Sequence, residues 1–230
     1  MANERPLHGK VVLIVGAGRP LGRVLAHGFA QAGASLALHD LSPVHLDVTA
    51  AQVQALGAEC RSYTGDIGKG LPCRALVSDV LDDWQRLDVL VTCLHASPPA
   101  RLLELDEWDW TRTLELNLTG PFLLAQAAAP GMIEQGGGTL IFVQAGPSAD
   151  PSPALAASQA GLTGLVRAAS AELLPYNIYS YAVDAGDFED SGDEVDSASA
   201  VTAQLQELAV YLCSPAAVGQ TGQVVRPGVK

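Results

Sequence analysis

Between Val15 and Arg23 the chain reads Val-Gly-Ala-Gly-Arg-Pro-Leu-Gly-Arg. An apolar run precedes this segment and a helical pattern follows it. In such a turn, backbone N–H groups and a helix N-terminus can face a pyrophosphate. Asp40 ends the next apolar run. A carboxylate there can hydrogen-bond an adenosine ribose and repel a 2′-phosphate. The chemistry implied is dinucleotide binding, NAD(H) over NADP(H), with Gly16, Gly18, Arg19, Gly22 and Asp40 as candidate contacts. Each residue also has a bland alternative. Gly22 suits close helix–strand packing, Gly16 a tight turn, Asp40 a helix N-cap, and Arg19 a solvated surface.

The elements that must hold these groups follow a βαβ rhythm. Strands are expected at Lys10 to Val15, Ser35 to Asp40, Glu59 to Tyr63, Asp88 to Leu94, Thr139 to Val143, Ile178 to Val183 and Gln223 to Arg226. Helices are expected through Leu21, Leu25 and Phe29, over Val44 to Leu56 with Gly57 closing, and over Leu71 to Trp84. A long helix surrounds Asn117 and ends near Gly136, and further helices cover Ala154 to Leu174 and Val201 to Leu212. Strands this uniformly apolar suit a sheet covered on both faces. The expected fold is α/β: a single Rossmann-type, doubly wound parallel sheet of about seven strands, with helices on both faces, over one domain spanning residues 1–230.

In order and spacing the chain resembles the short-chain dehydrogenase/reductase family nearly end to end. The turn matches the family's Thr-Gly-x-x-x-Gly-x-Gly at Gly16 and Gly22, with Val15 for the Thr and Pro20 for the middle Gly. Gly-Asp-Ile carries Asp66 where the family contacts adenine, and Asn117 in Asn-Leu-Thr-Gly matches a catalytic Asn. The family's Asn-Asn-Ala-Gly becomes Thr92 to His95, and Ala185 replaces the Pro of a Pro-Gly turn. Ala-Ser-Gln-Ala-Gly-Leu resembles the helix that follows the catalytic Tyr and Lys.

The resemblance implies hydride transfer between nicotinamide and a carbonyl or alcohol carbon. A Tyr handles the proton, a Lys four residues later lowers the Tyr pKa from about 10, and a Ser orients the substrate oxygen. By the same resemblance those positions are Leu155, Gln159 and Ala145, the last shifting to Gln144 if the register slips by one. Only Asn117 is retained. Lysine occurs at Lys10, Lys69 and Lys230, and tyrosine at Tyr63, Tyr176, Tyr179, Tyr181 and Tyr211, so no Tyr precedes a Lys by four residues. NAD binding is expected to be weak or absent. Pro20 removes an N–H a phosphate would use, and Gln159 can reach a ribose hydroxyl only without charge. His95, beside the nicotinamide by resemblance, is a possible proton carrier. Ser148 and Asp150 read as turn residues, and Trp108 and Trp110 as packing residues. The acidic run from Asp187 to Asp196 replaces the family's longer substrate-covering insertion.

In relatives the two long helices form a subunit interface. Here the helices around 117–133 and 154–174 keep that patterning, with small residues at Ala125, Ala127, Ala128, Ala156, Ala157, Ala160 and Gly161. Three functions stay open. One is a non-catalytic subunit of an active short-chain dehydrogenase/reductase, in a hetero-oligomer or self-associated. A second is an NAD(H)-dependent oxidoreductase with substituted chemistry, and a third is a nucleotide sensor or scaffold. A net charge of −12 disfavours nucleic acid and anionic membranes. Four scattered cysteines without metal spacing argue for reduced thiols and no metal. With no apolar stretch of about 20 residues and no secretory leader visible, a cytoplasmic location without a membrane is expected.

Overall fold

A computed structural model describes residues 5–144, 152–186 and 199–228. Its strands are β1 (Val11–Val15), β2 (Ser35–Asp40), β3 (Cys60–Thr64), β4 (Val89–Thr92), β5 (Gly138–Gln144), β6 (Ile178–Asp184) and β7 (Val224–Val225). They form one sheet in the order β3-β2-β1-β4-β5-β6-β7, with every pairing parallel. The connecting helices are α1 (Pro20–Gln31), α2 (Pro43–Ala55), α3 (Gly70–Trp84), α4 (Glu107–Leu114), α5 (Gly120–Glu134), α6 (Pro153–Leu173) and α7 (Ala200–Leu212).

Alternation along each strand divides the core in two. Val12, Ile14, Leu36 and Leu38 meet Leu25 and Phe29 of α1, Leu46 of α2 and Leu205 of α7. On the other face Leu13, Leu90, Leu140 and Phe142 meet Leu76 and Val80 of α3, Leu124 and Met132 of α5, and Leu162 and Val166 of α6. The sheet is therefore covered on both sides, as its continuous apolar strands require. Strand order reverses between β1 and β4, so their C-terminal ends diverge and open a crevice there.

Three elements differ from expectation. β4 stops at Thr92, and β7 is only the pair Val224–Val225. The helix around Asn117 is not uniform, because residues Glu115–Thr119 form a wider π turn between α4 and α5. The N–H of Gly120 bonds the carbonyl of Glu115, five residues back. Pro121 explains this: it has no N–H for the carbonyl of Asn117, and its ring would collide with that carbonyl in a regular helix. The expected packing of the tryptophans also fails. Trp108, in the first turn of α4, is 71% exposed, and Trp110 is 38% exposed. Leu102 and Leu103 just before them are exposed too.

The small residues of the long helices split into two groups. Ala125 and Ala128 are buried inside the chain, and a Cβ on Gly161 would lie 2.7 Å from Leu118, so these serve internal packing. Ala156, Ala160, Gly164 and Ala168 face outward along α6. Among the described residues no helix is long and apolar enough to cross a membrane. None of the described side chains form a His, Cys, Asp or Glu group able to hold a metal ion. All four cysteines are free.

Candidate functional site

The turn after β1 is held from several sides. Gly16 has φ +89°, and a Cβ there would lie 2.7 Å from the Cys93 carbonyl oxygen. Only glycine takes that conformation with the backbone just past β4 so near. The N–H groups of Gly16 and Ala17 both bond the His39 carbonyl, at 2.9 Å. Gly18 N–H donates to Asp40 Oδ2 at 2.9 Å, and Arg19 N–H to the Gly16 carbonyl at 3.2 Å. Pro20 opens α1 and has no N–H. The N–H groups of Leu21 and Gly22 therefore remain as the donors at the start of α1, since a helix leaves its first N–H groups unbonded internally.

Asp40 is not a helix cap, because the N-cap of α2 is Ser42. Its carboxylate ties the end of β2 to the Gly-rich turn and also accepts from Ser42 N–H at 3.4 Å. Arg19 is the exposed N-cap of α1. Beside these groups lies a cavity of about 80 Å³, lined by residues including Gly16, Arg19, His39, Asp40, Asp66 and Arg112. Asp66 accepts from Gly68 N–H at 2.9 Å and pairs with Arg112 Nη2 at 3.3 Å. The Gly68 bond first, and then the guanidinium, hold its carboxyl below the usual range.

His39 lies on the face of β2 opposite Asp40 and is 3% exposed. Its Nδ1 has no hydrogen-bond partner among the described residues. Burial pushes the imidazole from 6.5 down to about 4, against the opposing pull of Asp40 and a hydrogen bond with Gly65. The folded chain thus resists a proton that the unfolded chain accepts. Stability from the neutral ring is complete above pH 6.5 and declines as pH falls toward 4. The full span is about 3 kcal/mol, at roughly 1.4 kcal/mol per pH unit. In urea unfolding at pH 7 and pH 4.5, wild type is expected to lose about 2 to 3 kcal/mol more than His39→Phe. Equal losses would show that His39 does not titrate across this window.

At the other end of the crevice Leu94, His95, Asn117, Val143, Gln144, Leu155, Ser158 and Gln159 surround a space of about 10 Å³. That is room for about one water. Asn117 is 7% exposed, and its amide is spent locally. Oδ1 accepts from Ala96 N–H at 2.8 Å, while Nδ2 donates to the Ala96 carbonyl at 2.8 Å and to Ser158 Oγ at 3.2 Å. Ser158 Oγ in turn donates to the Leu155 carbonyl at 2.9 Å. Ser152 caps α6 by accepting from Leu155 N–H, which sets Leu155 in the first turn. Gln144 Oε1 is buried and finds no partner among the described residues.

The candidates thus gather at the crevice in two groups: Gly16, Arg19, Asp40 and Asp66 at one end, and Asn117, Leu155 and Gln159 at the other. Gly18 holds Asp40, and Gly22 packs against the turn, where a Cβ would lie 2.1 Å from the Gly16 carbonyl oxygen. Ala145, Ser148, Asp150 and the acidic run from Asp187 fall outside the described residues. Among the described residues, no lysine or tyrosine lines either cavity. Tyr63 and Tyr181 bond elsewhere, to Asp83 and the Ala217 carbonyl, and burial pushes both phenols up to about 12. His39, Arg112 and Ser158 were missed from sequence. His39 and Ser158 each directly precede a candidate, but Arg112 gives no local signal.

A dinucleotide fits one end of this crevice and not the other. The cavity beside Asp40 and Asp66 offers acceptors for a ribose and a base amino group, with Arg19 and two N–H groups near a phosphate. Among the described residues, the end beside Leu155 leaves a space of only about 10 Å³ and holds no Tyr–Lys pair.

A family model described as short chain dehydrogenase matches residues 10–199. The chain is 34% identical over 187 residues to an uncharacterised oxidoreductase of Thermotoga maritima, covering 80% of this chain and 74% of that protein. It is 28% identical over 170 residues to the (2S)-[(R)-hydroxy(phenyl)methyl]succinyl-CoA dehydrogenase subunit BbsD of Thauera aromatica, covering 73% of this chain and 68% of the other. Among solved structures it superposes with TM-score 0.86 and 25% identity on a 7α-hydroxysteroid dehydrogenase complexed with NADH and 7-oxo glycochenodeoxycholic acid, covering 98% and 95% of the two chains.

Proposed function

The chain belongs to the short chain dehydrogenase family, and we propose that within it this chain is a subunit without a proton-transfer centre of its own, assembled with a catalytically complete relative. One observation carries the reading. Among the described residues, the crevice end where hydride transfer would need a proton carries His95, Asn117, Gln144, Leu155, Ser158 and Gln159, with no Tyr or Lys. Amides and a hydroxyl hydrogen-bond, but none of them titrates near neutral pH. Dinucleotide binding is accordingly weak, because the turn has lost the N–H at Pro20 and the site has no lysine for the nicotinamide ribose.

Assembly draws support from the surface. The outward row Ala156, Ala160, Gly164 and Ala168 on α6 lets another helix approach closely. Phe122 and Ile133 on α5 stay exposed where a partner would cover them. BbsD, among the relatives, is itself named as a subunit. The test is co-expression of the tagged chain with each family member from its own genome, followed by native mass spectrometry. The expected result is a defined hetero-oligomer with one member that has both Tyr and Lys. Recovery of the chain only by itself, whichever relative is present, would end the proposal.

A second reading keeps one observation in its favour. His95 lines both cavities and so stands at the junction where a reacting ring would sit. A histidine can carry a proton near neutral pH. Turnover by the isolated chain that disappears in His95→Ala would favour it.

A further inference from the structure

We propose that a second cavity, at the N-terminal ends of the strands and opposite the crevice, binds a small organic acid by its carboxylate, with an apolar body alongside. The proposal does not depend on the reading above. The cavity holds about 290 Å³, against about 80 Å³ beside Asp40. It lies where the strands begin: Lys10 just before β1, Asp88 just before β4, Gly138 at the start of β5 and Tyr179 near the start of β6 all line it. Cys213 and Ser214, just past α7, line it as well. A cavity of about 150 Å³ can hold benzene, so this one has room for a ring, a short chain and a carboxylate.

Charge at the lining selects an anion. Asp88 Oδ1 accepts from Lys10 Nζ at 2.9 Å and from Arg86 Nη2 at 2.7 Å. Its Oδ2 accepts from Val11 N–H at 2.9 Å and from Arg86 Nε at 2.7 Å. Both oxygens are then saturated. Burial pushes this carboxyl up, but Arg86, the Val11 N–H and Lys10 outweigh it and hold it below its usual range, so it stays charged. One anion thus faces two cations, and the lining keeps a positive charge in a chain of net charge −12. Among the described residues, Asp88 is the only partner of the Lys10 ammonium and the Arg86 guanidinium. Lys10 keeps two of its three N–H donors and Arg86 three of its five, which suit a carboxylate. Ser214 Oγ, without a partner among the described residues, adds a hydroxyl donor. Leu7, Val89, Pro215 and Val218 supply the apolar wall. The segment Gly136 to Gly138 leaves another wall bare of side chains. At Gly137 a side chain is excluded, because φ is +150° and a Cβ would lie 2.7 Å from the Asn177 carbonyl oxygen.

The test is calorimetry on the intact wild-type chain with 3-phenylpropionate, its neutral amide, 3-phenylpropylamine and inorganic phosphate. The acid is expected to bind with a Kd of about 1 mM or below. The amide and the amine, which lack the negative charge, and phosphate, which lacks the apolar body, should each bind about tenfold more weakly or worse. Hydrogen exchange locates the site without any variant. The acid should protect 135–139 and 213–218 and leave the turn at 16–22 unchanged. Lys10→Gln keeps a donor for Asp88 but not the charge. It should abolish the preference for acid over amide while leaving the amide's affinity as it was, with urea unfolding to show that the variant folds. An acid that binds no better than its amide, the amine or phosphate would overturn the proposal. So would protection at 16–22 in place of 135–139 and 213–218, or no binding of the acid at about 10 mM. A folded Lys10→Gln that keeps the full preference for acid would do the same, and if that variant does not fold, the wild-type measurements decide by themselves.

Discussion

Purified alone and supplied with NAD(H) or NADP(H), the chain is expected to turn over ketones and alcohols about 10⁴-fold more slowly than a complete relative, or slower still. The loss of a positioned general acid accounts for about 10² to 10⁴ by itself. The missing lysine and the filled pocket act on the same step, so their effects do not multiply in full. Proximity of a bound carbonyl to a hydride donor would leave some residual rate, which the space of about 10 Å³ among the described residues beside Leu155 and Gln159 would reduce. Neither Asn117 nor Ser158 is placed to take over the proton. Asn117 is held by both backbone groups of Ala96, and Ser158 gives its proton to the Leu155 carbonyl. The measurement is a coupled-absorbance assay across a substrate panel, with His95→Ala as companion. Turnover of the bare chain at a relative's rate would remove the basis of the proposed function.

Gly22→Ala is expected to destabilise the chain by about 3 kcal/mol or more, near the upper end for overpacking a close contact. The added Cβ would sit 2.1 Å from the Gly16 carbonyl oxygen, 2.8 Å from its carbon and 2.9 Å from Ala17 Cα. All three are backbone atoms, so no side chain can swing aside. Relief would need α1 to move away from β1, which would pull Leu25 and Phe29 from the core beneath it. At roughly 2 to 4 °C per kcal/mol for a chain of this size, the midpoint should fall by about 10 °C. Gly164→Ala is the control. Nothing lies within 4 Å of the Cβ it would add, and alanine favours a helix over glycine by about 1 kcal/mol. Equal midpoints for Gly22→Ala and wild type would refute the packing role and return Gly22 to a ligand-approach role alone.

The sheet was legible because its signals are local. Val11–Val15 is a continuous buried run, and Ser35–Asp40 begins and ends where the sequence pattern places it. Pro20 sits at the helix start where its missing N–H is harmless to the helix. The π turn was equally encoded, in Pro121 four residues after Asn117, yet an apolar period alone reads as an unbroken helix. Trp108 was misread because a large aromatic residue near a helix start is usually buried, and nothing in the local pattern says which face of α4 meets α6.

From the sequence alone came the alternation of strands and helices, the Gly-rich turn with Asp40 beyond it, and the absence of any Tyr–Lys pair. Those depend on residue type and on spacings of a few positions. Tertiary structure alone decided that Asp40 ties down Gly18 across 22 residues, that Ser158 meets Asn117 across 41, and that Arg112 reaches Asp66 across 46. It also decided that Leu94 and His95 split one crevice into unequal parts. Such contacts are created where parallel strands reverse their order and bring distant loops to one edge, and helical or strand periodicity carries no record of that meeting.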